Sequence, residues 1–207
     1  MPHAELRVPD DSLEPFRGKF AERPFANPTA DGTPTGAASR APSLGYRSQP
    51  QPHAAFAAMI TRMDRDVGRL VDLLGQRGID RRTLVLFISD NGPHQEGGGD
   101  PVFFKSAGGL RGIKRDLYEG GIRVPMIARW TGVVPAGRVS NHVWAHWDVL
   151  PTVAAVAGAR VPAGLDGMSM AAALRGESQP THPFSIGSST SAGFSRPSGW
   201  SAGRRCG

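Results

Sequence analysis

The 207-residue sequence contains almost no cysteine, and this excludes two kinds of stabilised small domain. Its single cysteine, Cys206, lies next to the C-terminus, so the sequence encodes neither a disulfide framework nor a cysteine-rich zinc site. No apolar run reaches the ~18 residues that a membrane-spanning helix needs. The first six residues also lack the basic and apolar regions of a signal peptide. We therefore expect no membrane partner, and the sequence leaves the compartment open.

Acidic residues are missing from the C-terminal end. No Asp or Glu follows Glu177, whereas Arg196, Arg204 and Arg205 do, so this tail carries +3 of the formal net charge of +6. Elsewhere the basic residues are scattered, and no basic stripe is interleaved with aromatic residues. This distribution argues against a nucleic acid as partner. The length, with 27 glycines and 18 prolines, is typical of one α/β domain with many turns and irregular ends.

Apolar spacing predicts one long helix over 53–77. Eight residues recur at helical intervals and form one apolar stripe: Phe56, Met59, Ile60, Met63, Val67, Leu70, Val71 and Leu74. The elements predicted after it are a strand at 83–89, a glycine-rich loop at 90–121, a strand at 125–130, a helix entered through Pro151 and a short helix near 168–175. A helix followed at once by a strand predicts one unit of a parallel sheet. A loop as long as 90–121 inside a domain is typical of a functional segment.

Asp90, Asn91 and Gly92 directly follow the strand predicted at 83–89 and precede a proline. The carboxyl ends of buried strands are where open α/β sheets bind ligands. Carboxylate and amide oxygens are ligands that hard cations such as Ca²⁺ and Mg²⁺ prefer. Asn-Gly is also a strong turn dipeptide, so the motif by itself is equally consistent with an ordinary Asx turn.

Lys114 lies in the second half of the glycine-rich loop, among glycines that allow a backbone to approach a ligand closely. Its ammonium is a compact point charge suited to an oxyanion. A solvated surface lysine is the alternative. The order of helix, strand, Asp-Asn-Gly, basic glycine-rich loop and strand favours the functional interpretation.

Three segments in this order resemble the C-terminal part of the arylsulfatase-type sulfatases, within the alkaline-phosphatase-like superfamily. The main matches are residues 90–93, Lys114 and residues 118–125. Weaker matches are residues 57–60, Asp64, 67–68, 148–152 and 166–169. The resemblance covers about 50–177, with a weaker stretch at the start. It implies an α/β fold, a partial alkaline-phosphatase-like sandwich with a mostly parallel sheet, truncated at both ends. The expected organisation is an irregular surface segment at 1–50, a partial catalytic domain at 51–177 and a low-order tail at 178–207.

The resemblance also implies a sulfuric ester hydrolase that uses a formylglycine nucleophile and Ca²⁺. Asp90 and Asn91 match the second pair of metal ligands in that family. Lys114 matches the lysine that contacts the sulfate and the leaving-group side. His3 resembles the substrate-contacting histidine of an upstream loop, whereas His94 has no firm counterpart and is expected at the pocket rim. The implied ligand is a sulfate-ester small molecule or glycan.

The family's nucleophile motif, Cys/Ser-x-Pro-x-Arg, does not occur in this sequence, and neither does its first acidic metal pair. Cys206 cannot supply the motif, and Ser195-Arg196-Pro197 does not match it. We therefore expect an inactive fragment with half of a Ca²⁺ site, whose Met1 lies inside a longer ancestral sequence. Because such a fragment would form only part of a large sheet, we expect an exposed sheet edge and an exposed apolar face.

The tail after Phe184 is compatible with a shifted reading frame, because the shifted codons permit a sequence like the family's C-terminal strand region. Codon degeneracy makes coincidence the alternative explanation. Two other functions are weighed against the sulfatase assignment. One is a non-catalytic anion- or partner-binding remnant. The other is a phosphate or phosphonate ester hydrolase, which Asn91 disfavours because such relatives commonly have His after the Asp. Substrate identity and oligomeric state are not predicted.

Overall fold

The computed structural model describes residues 2–27 and 46–182. These residues divide into two compact units, one with the described residues of 2–80 and 86–127 and the other with those of 81–85 and 128–182. The helices and strands are α1 (Asp10–Leu13), α2 (Pro52–Gln76), β1 (Val85–Ile88), α3 (Glu119–Ile122), β2 (Met126–Arg129), α4 (Val149–Val156) and α5 (Ala171–Arg175). The shifted-frame hypothesis concerns residues that lie outside this description.

The elements predicted from apolar spacing are confirmed with small changes of boundary. The long helix is α2, and the two strands are the central residues of the runs predicted at 83–89 and 125–130. Helix α4 begins at Val149, which places Pro151 in its first turn, where the missing N–H costs nothing. Strands β1 and β2 are neighbours in a two-stranded sheet. Two strands do not test the mostly parallel sheet, which stays a prediction.

Helix α2 is capped by a carboxylate from the N-terminal segment. Its own N-cap residue makes no side-chain cap, and Glu22 instead accepts the backbone N–H groups of His53 and Ala54, each at 2.9 Å. The first N–H groups of a helix need such a partner, and a negative charge also suits the helix dipole there. The His53 ring is buried, and its two nitrogens lie 2.7 Å from the Ala21 carbonyl and 3.1 Å from the Asp100 carboxylate. The start of α2 thus joins the N-terminal segment to the glycine-rich loop.

Leu6, Ala55 and Phe56 form the buried core of the first unit, with Leu13, Met59 and Phe104 packed against them. The described part of the segment 1–50 is therefore attached to this core. Residues 2–27 contain α1 and a 3₁₀ turn at Glu14–Phe16, and Leu6 is almost fully buried. Besides the Glu22 cap, its contacts include the Gln49 side-chain amide, which donates to the Leu6 carbonyl at 2.5 Å, and a bridge between Phe25 and Gln49.

The apolar stripe of α2 is fully buried only at its start. The buried residues of the helix all lie between Pro52 and Ala58; further along the stripe Leu70 is 64% exposed, and Met63, Val67, Val71 and Leu74 are half-buried. This agrees with an α/β domain of which the described residues form only part. Among these residues, no helix has the length and apolar character needed to cross a membrane.

Asp148 organises the second unit. It is fully buried, and its carboxylate accepts the backbone N–H groups of Ala145 at 2.8 Å and Met168 at 3.0 Å. The His182 Nε2 lies 2.9 Å from both carboxylate oxygens. Thr152 extends the network, because its hydroxyl donates to the Asp148 carbonyl at 2.5 Å and accepts the Met170 N–H at 2.9 Å. The motifs at 148–152 and 166–169 are therefore a scaffold that fixes the start of α4.

We predict that Asp148→Ala destabilises the second unit by about 3 kcal/mol, because a fully buried carboxylate is removed and the half-buried N–H groups of Ala145 and Met168 lose their acceptor. Urea denaturation followed by fluorescence would measure the change in the free energy of unfolding. Asp166→Ala is the matched control, because this substitution removes the same charge from an exposed residue of the same unit. Equal stability of the two variants would contradict a scaffolding role for Asp148.

Candidate functional site

The strand-end motif and the basic loop meet backbone to backbone. The Gly92 N–H donates to the Gly121 carbonyl at 2.9 Å, and the Lys114 N–H donates to the Pro93 carbonyl at 2.7 Å. A Cβ atom on Gly92 would lie 1.9 Å from the Gly120 carbonyl oxygen, far inside any van der Waals contact. Only glycine allows this approach. The Asp-Asn-Gly motif is thereby fixed against the loop that contains Lys114.

The double glycine at 120–121 lets the basic loop fold back on itself. The Gly120 N–H donates to the Arg111 carbonyl at 2.7 Å. A Cβ atom on Gly120 would lie 2.1 Å from the Gly112 carbonyl oxygen, and one on Gly121 would lie 2.2 Å from that of Asp116. The segment that carries Lys114 is thus closed into a tight loop by main-chain contacts.

The structure brings His3 and Lys114 together, as their predicted roles require. The Lys114 Nζ lies 2.8 Å from the His3 Nε2, although the two residues are 111 positions apart. The His3 Nδ1 lies 2.6 Å from the Ala4 carbonyl oxygen. Because that carbonyl can only accept, Nδ1 carries the hydrogen and Nε2 accepts from the lysine. The Lys114 side chain is 17% exposed and that of His3 is 56% exposed, so the pair is reachable from solvent.

His94 is an anchor for the N-terminal segment and is buried, which corrects its expected place at a pocket rim. Its Nε2 donates to the Pro2 carbonyl at 2.8 Å, and its Nδ1 accepts the Glu96 N–H at 3.1 Å. These two bonds require the neutral ring. Burial lowers the pKa of His94, an effect that its hydrogen bond to Pro2 and the Glu96 charge partly offset.

Glu96 lies at the centre of the site and was not predicted from the sequence. Its side chain is 6% exposed; one carboxylate oxygen contacts the Arg115 guanidinium, and the other lies 3.7 Å from the Lys114 Nζ and 3.8 Å from the His3 Nε2. The Tyr46 hydroxyl is 3.5 Å from the same second oxygen. Burial raises the pKa of Glu96, but the Arg115 hydrogen bond and the Lys114 and Arg115 charges outweigh burial, so the net pKa is lowered. Burial and this carboxylate raise the pKa of Tyr46.

The predicted metal ligands provide oxygen atoms of the right type. Asp90 is exposed, and within residues 2–27 and 46–182 its carboxylate has no hydrogen-bond or ion-pair partner. The Asn91 side-chain NH₂ donates to the Gly92 carbonyl at 2.8 Å, which leaves the side-chain oxygen as its ligand atom. No group of three or more His, Cys, Asp or Glu residues in the described part of the chain could hold a metal ion. The two oxygens fit Ca²⁺ chemically but fall short of the six or more that it takes.

Asp90 and Asn91 are linked to the His3–Lys114 pair only through the main chain. The link is the hydrogen bond between Lys114 and Pro93, two residues after Asn91. In the described residues, no hydrogen bond or ion pair joins either metal-ligand candidate to His3 or Lys114 directly. The structure therefore places the four predicted residues around one backbone junction, and it pairs only two of them.

We predict that Gly92→Ala lowers the free energy of unfolding by about 3 kcal/mol, because the added methyl group meets backbone that cannot rotate away. Chemical denaturation would measure the loss. Gly68→Ala is the control: a Cβ there, on the surface of α2, meets nothing within 4 Å. It should be neutral or stabilise by up to about 1 kcal/mol. Equal effects of the two substitutions would show that the close approach at Gly92 does not occur.

We also predict that His94 makes the protein less stable as the pH falls. A lowered pKa means that the unfolded chain binds a proton more readily than the folded protein. The stabilisation is therefore fully present above 6.5, the ordinary pKa, and is lost as the pH falls through the lower folded pKa. Denaturation curves from pH 8 to pH 5 should show this loss in the wild type and a flatter profile in His94→Gln. Parallel profiles would exclude His94 as the titrating group.

Residues 2–159 match the Sulfatase family model. The chain is 40% identical to steryl-sulfatase of Mus musculus over 138 residues, which covers 61% of this chain and 21% of that protein. It is 36% identical to arylsulfatase A of Homo sapiens over 126 residues, covering 58% of this chain and 23% of that protein. The chain thus spans about a fifth of the length of these relatives.

Solved structures agree with the sequence relatives. The crystal structure of Ps i-CgsB in complex with k-i-k-neocarrahexaose superposes with a TM-score of 0.60 at 30% identity, over 85% of this chain and 32% of that chain. Ps i-CgsB alone gives a TM-score of 0.59 at 29% identity, over 84% and 31%. The fold is therefore the α/β fold of the alkaline-phosphatase-like superfamily. By sequence and by structure, the chain belongs to the sulfatase family of sulfuric ester hydrolases.

Proposed function

We propose that His3 and Lys114 contact the sulfate group of a sulfate ester. The observation that supports this most is their hydrogen-bonded pairing at 2.8 Å inside a cationic cluster. Lys114 and Arg115 contribute two positive charges, and among the described residues Glu96 is the one carboxylate within ion-pair distance of them. The resulting charge of +1 suits an anionic group. An ammonium has three N–H donors, and only one is used by His3, so others remain for sulfate oxygens.

Asp90 and Asn91 would supply two oxygen ligands of a Ca²⁺ ion in this proposal. When bound, such an ion would offset the charge of the sulfate and stabilise the charge that develops during hydrolysis. The chain's own contribution is to hold these two side chains at the end of β1, where Gly92 fixes the turn. The other oxygen ligands that Ca²⁺ takes would come from further groups or from water. The mostly parallel sheet of the family belongs to the same proposal.

The isolated chain is proposed to bind without turnover. Sulfatase chemistry needs the formylglycine nucleophile, and no Cys/Ser-x-Pro-x-Arg motif occurs among the 207 residues. The ligand class is a sulfate-ester small molecule or glycan, and the neocarrahexaose named in the Ps i-CgsB complex supports a glycan. The absence of the motif also favours a second candidate function, that of a non-catalytic anion-binding module that uses Lys114 and the nearby arginines.

Sulfate binding by the full chain is the direct test. We expect saturable, salt-sensitive binding of inorganic sulfate in a calorimetric titration, and about tenfold weaker binding by Lys114→Ala, because the principal donor is lost. Lys19→Ala is the matched control, since it removes the same charge from an exposed position in the same unit. Equal loss of binding in both variants would mean that sulfate responds only to the net charge of the protein, and it would contradict a binding site at Lys114.

Turnover separates the sulfatase fragment from an active enzyme. With a chromogenic aryl sulfate and added Ca²⁺, we expect no hydrolysis by the 207-residue protein above the rate of Lys114→Ala. Hydrolysis that exceeds this control would show that another group in the chain acts as nucleophile. It would also overturn the proposal that the chain binds without reacting.

A further inference from the structure

We infer that Glu96 is a positioning residue that holds the His3–Lys114 pair in the geometry needed to bind a sulfate ester. The inference rests on the proposed function of that pair and adds a third residue to it. Glu96 is not itself expected to touch the ligand. Its carboxylate lies on the buried side of the His3 and Lys114 side chains, whereas those two side chains reach solvent.

The first support is the triangle formed by three side chains. One oxygen of Glu96 lies 3.7 Å from the Lys114 Nζ and 3.8 Å from the His3 Nε2, and these two nitrogens are 2.8 Å apart. A carboxylate almost equidistant from both nitrogens attracts the ammonium to the place where it can donate to the imidazole. The buried position strengthens that attraction, because solvent screens it less than it would at the surface.

The second support is the backbone beside Lys114. Arg115 has a φ of 80°, in the left-handed region that residues other than glycine avoid. Such a conformation persists only where the surroundings hold it. Here the Arg115 guanidinium contacts the other oxygen of Glu96. The same carboxylate thus fixes the Lys114 side chain directly and its main chain through the next residue.

The third support is that the His94 imidazole is hydrogen-bonded both to Glu96 and to the residue before His3. The His94 Nδ1 accepts the Glu96 N–H at 3.1 Å, and its Nε2 donates to the carbonyl of Pro2, the residue before His3. The His94 and His3 rings are 5.4 Å apart. The placement of Glu96 relative to His3 is therefore set by a buried connection, independently of the Lys114 contact.

Positioning and simple electrostatics predict opposite signs for one substitution. Glu96→Gln keeps the shape of the side chain but removes a negative charge next to the anion site. If Glu96 acted only through its charge, sulfate would bind more tightly to the variant. If Glu96 positions the pair, sulfate binds more weakly despite the additional net positive charge.

The experiment uses the full chain and two readouts. Imidazole ¹⁵N shifts report the His3 tautomer, which should be the Nδ1–H form alone in the wild type and a mixture in Glu96→Gln. Titration with inorganic sulfate should give about tenfold weaker binding for Glu96→Gln. Glu119→Gln is the matched control, because it removes the same charge from a carboxylate that also pairs with an arginine. Glu119 is 54% exposed and its partner is Arg123. Its tautomer and affinity should equal those of the wild type.

Each outcome decides the inference. Unchanged or tighter sulfate binding by a folded Glu96→Gln protein with the wild-type tautomer would overturn it. If that variant does not fold, Arg115→Gln tests the same contact from a half-exposed side chain, with the same expected tautomer mixture. Failure of both variants to fold would also overturn it, in favour of a purely structural role. If the wild type binds no sulfate, the proposed function fails and the tautomer alone decides the role of Glu96.

Discussion

The structure of the site depends on a main-chain contact that no side chain can replace. Gly92 and Gly120 approach so closely that a single Cβ atom would overlap the opposite carbonyl. This contact joins the end of β1 to the loop that carries Lys114 without using any functional group. The polar side chains at the junction therefore take no part in this contact. The presence of both glycine motifs in one sequence follows from their packing against each other.

Sequence periodicity predicted α2 and the two strands because each is a local pattern of apolar residues. It missed the four-residue helices α1 and α3, the second of which begins within the predicted loop 90–121. Position after a strand and in a glycine-rich loop indicated Asp90, Asn91 and Lys114, whereas His3 came from the family resemblance alone, and spacing could not have paired it with Lys114 across the chain. Leu6 shows the same limit in the core, since its burial depends on Ala55 and Phe56, which are distant in sequence.

Glu96 escaped prediction because its surroundings in the sequence are typical of a solvated loop. It is followed by three glycines, and nothing in that pattern indicates a buried side chain. A signal was nevertheless present. Glu96 and Asp100 are the only acidic residues between Asp90 and Lys114, in a loop rich in glycine. An isolated carboxylate opposite a Lys-Arg pair is a reason to expect an ion pair.

Carboxylates with structural roles can be distinguished from Asp90 by their partners. Asp148 has two backbone donors and a histidine, and Glu22 caps α2. Asp100 accepts the Phe103 N–H and contacts His53; this backbone hydrogen bond is the largest effect on its pKa, and the pKa is lowered even though burial opposes the change. Asp90 has no such partner among the described residues, and it follows a strand at the junction with the basic loop. This is why Asp90, and not the other three carboxylates, is the one proposed as a cation ligand.

Within the proposed site, the charge of the Lys114–Arg115–Glu96 cluster alone, before any Ca²⁺ is bound, matches a sulfate ester better than a phosphate ester. A sulfate monoester carries one negative charge, whereas a phosphate monoester carries nearly two at neutral pH. Lys114 and Arg115 together exceed Glu96 by one positive charge, which matches the single charge of a sulfate. Arg115 is occupied by Glu96, so the charge presented to a ligand is that of Lys114. Glu96 thus neutralises the cation that would otherwise favour a dianion, and it leaves one ammonium, held by His3, for a monoanionic ester.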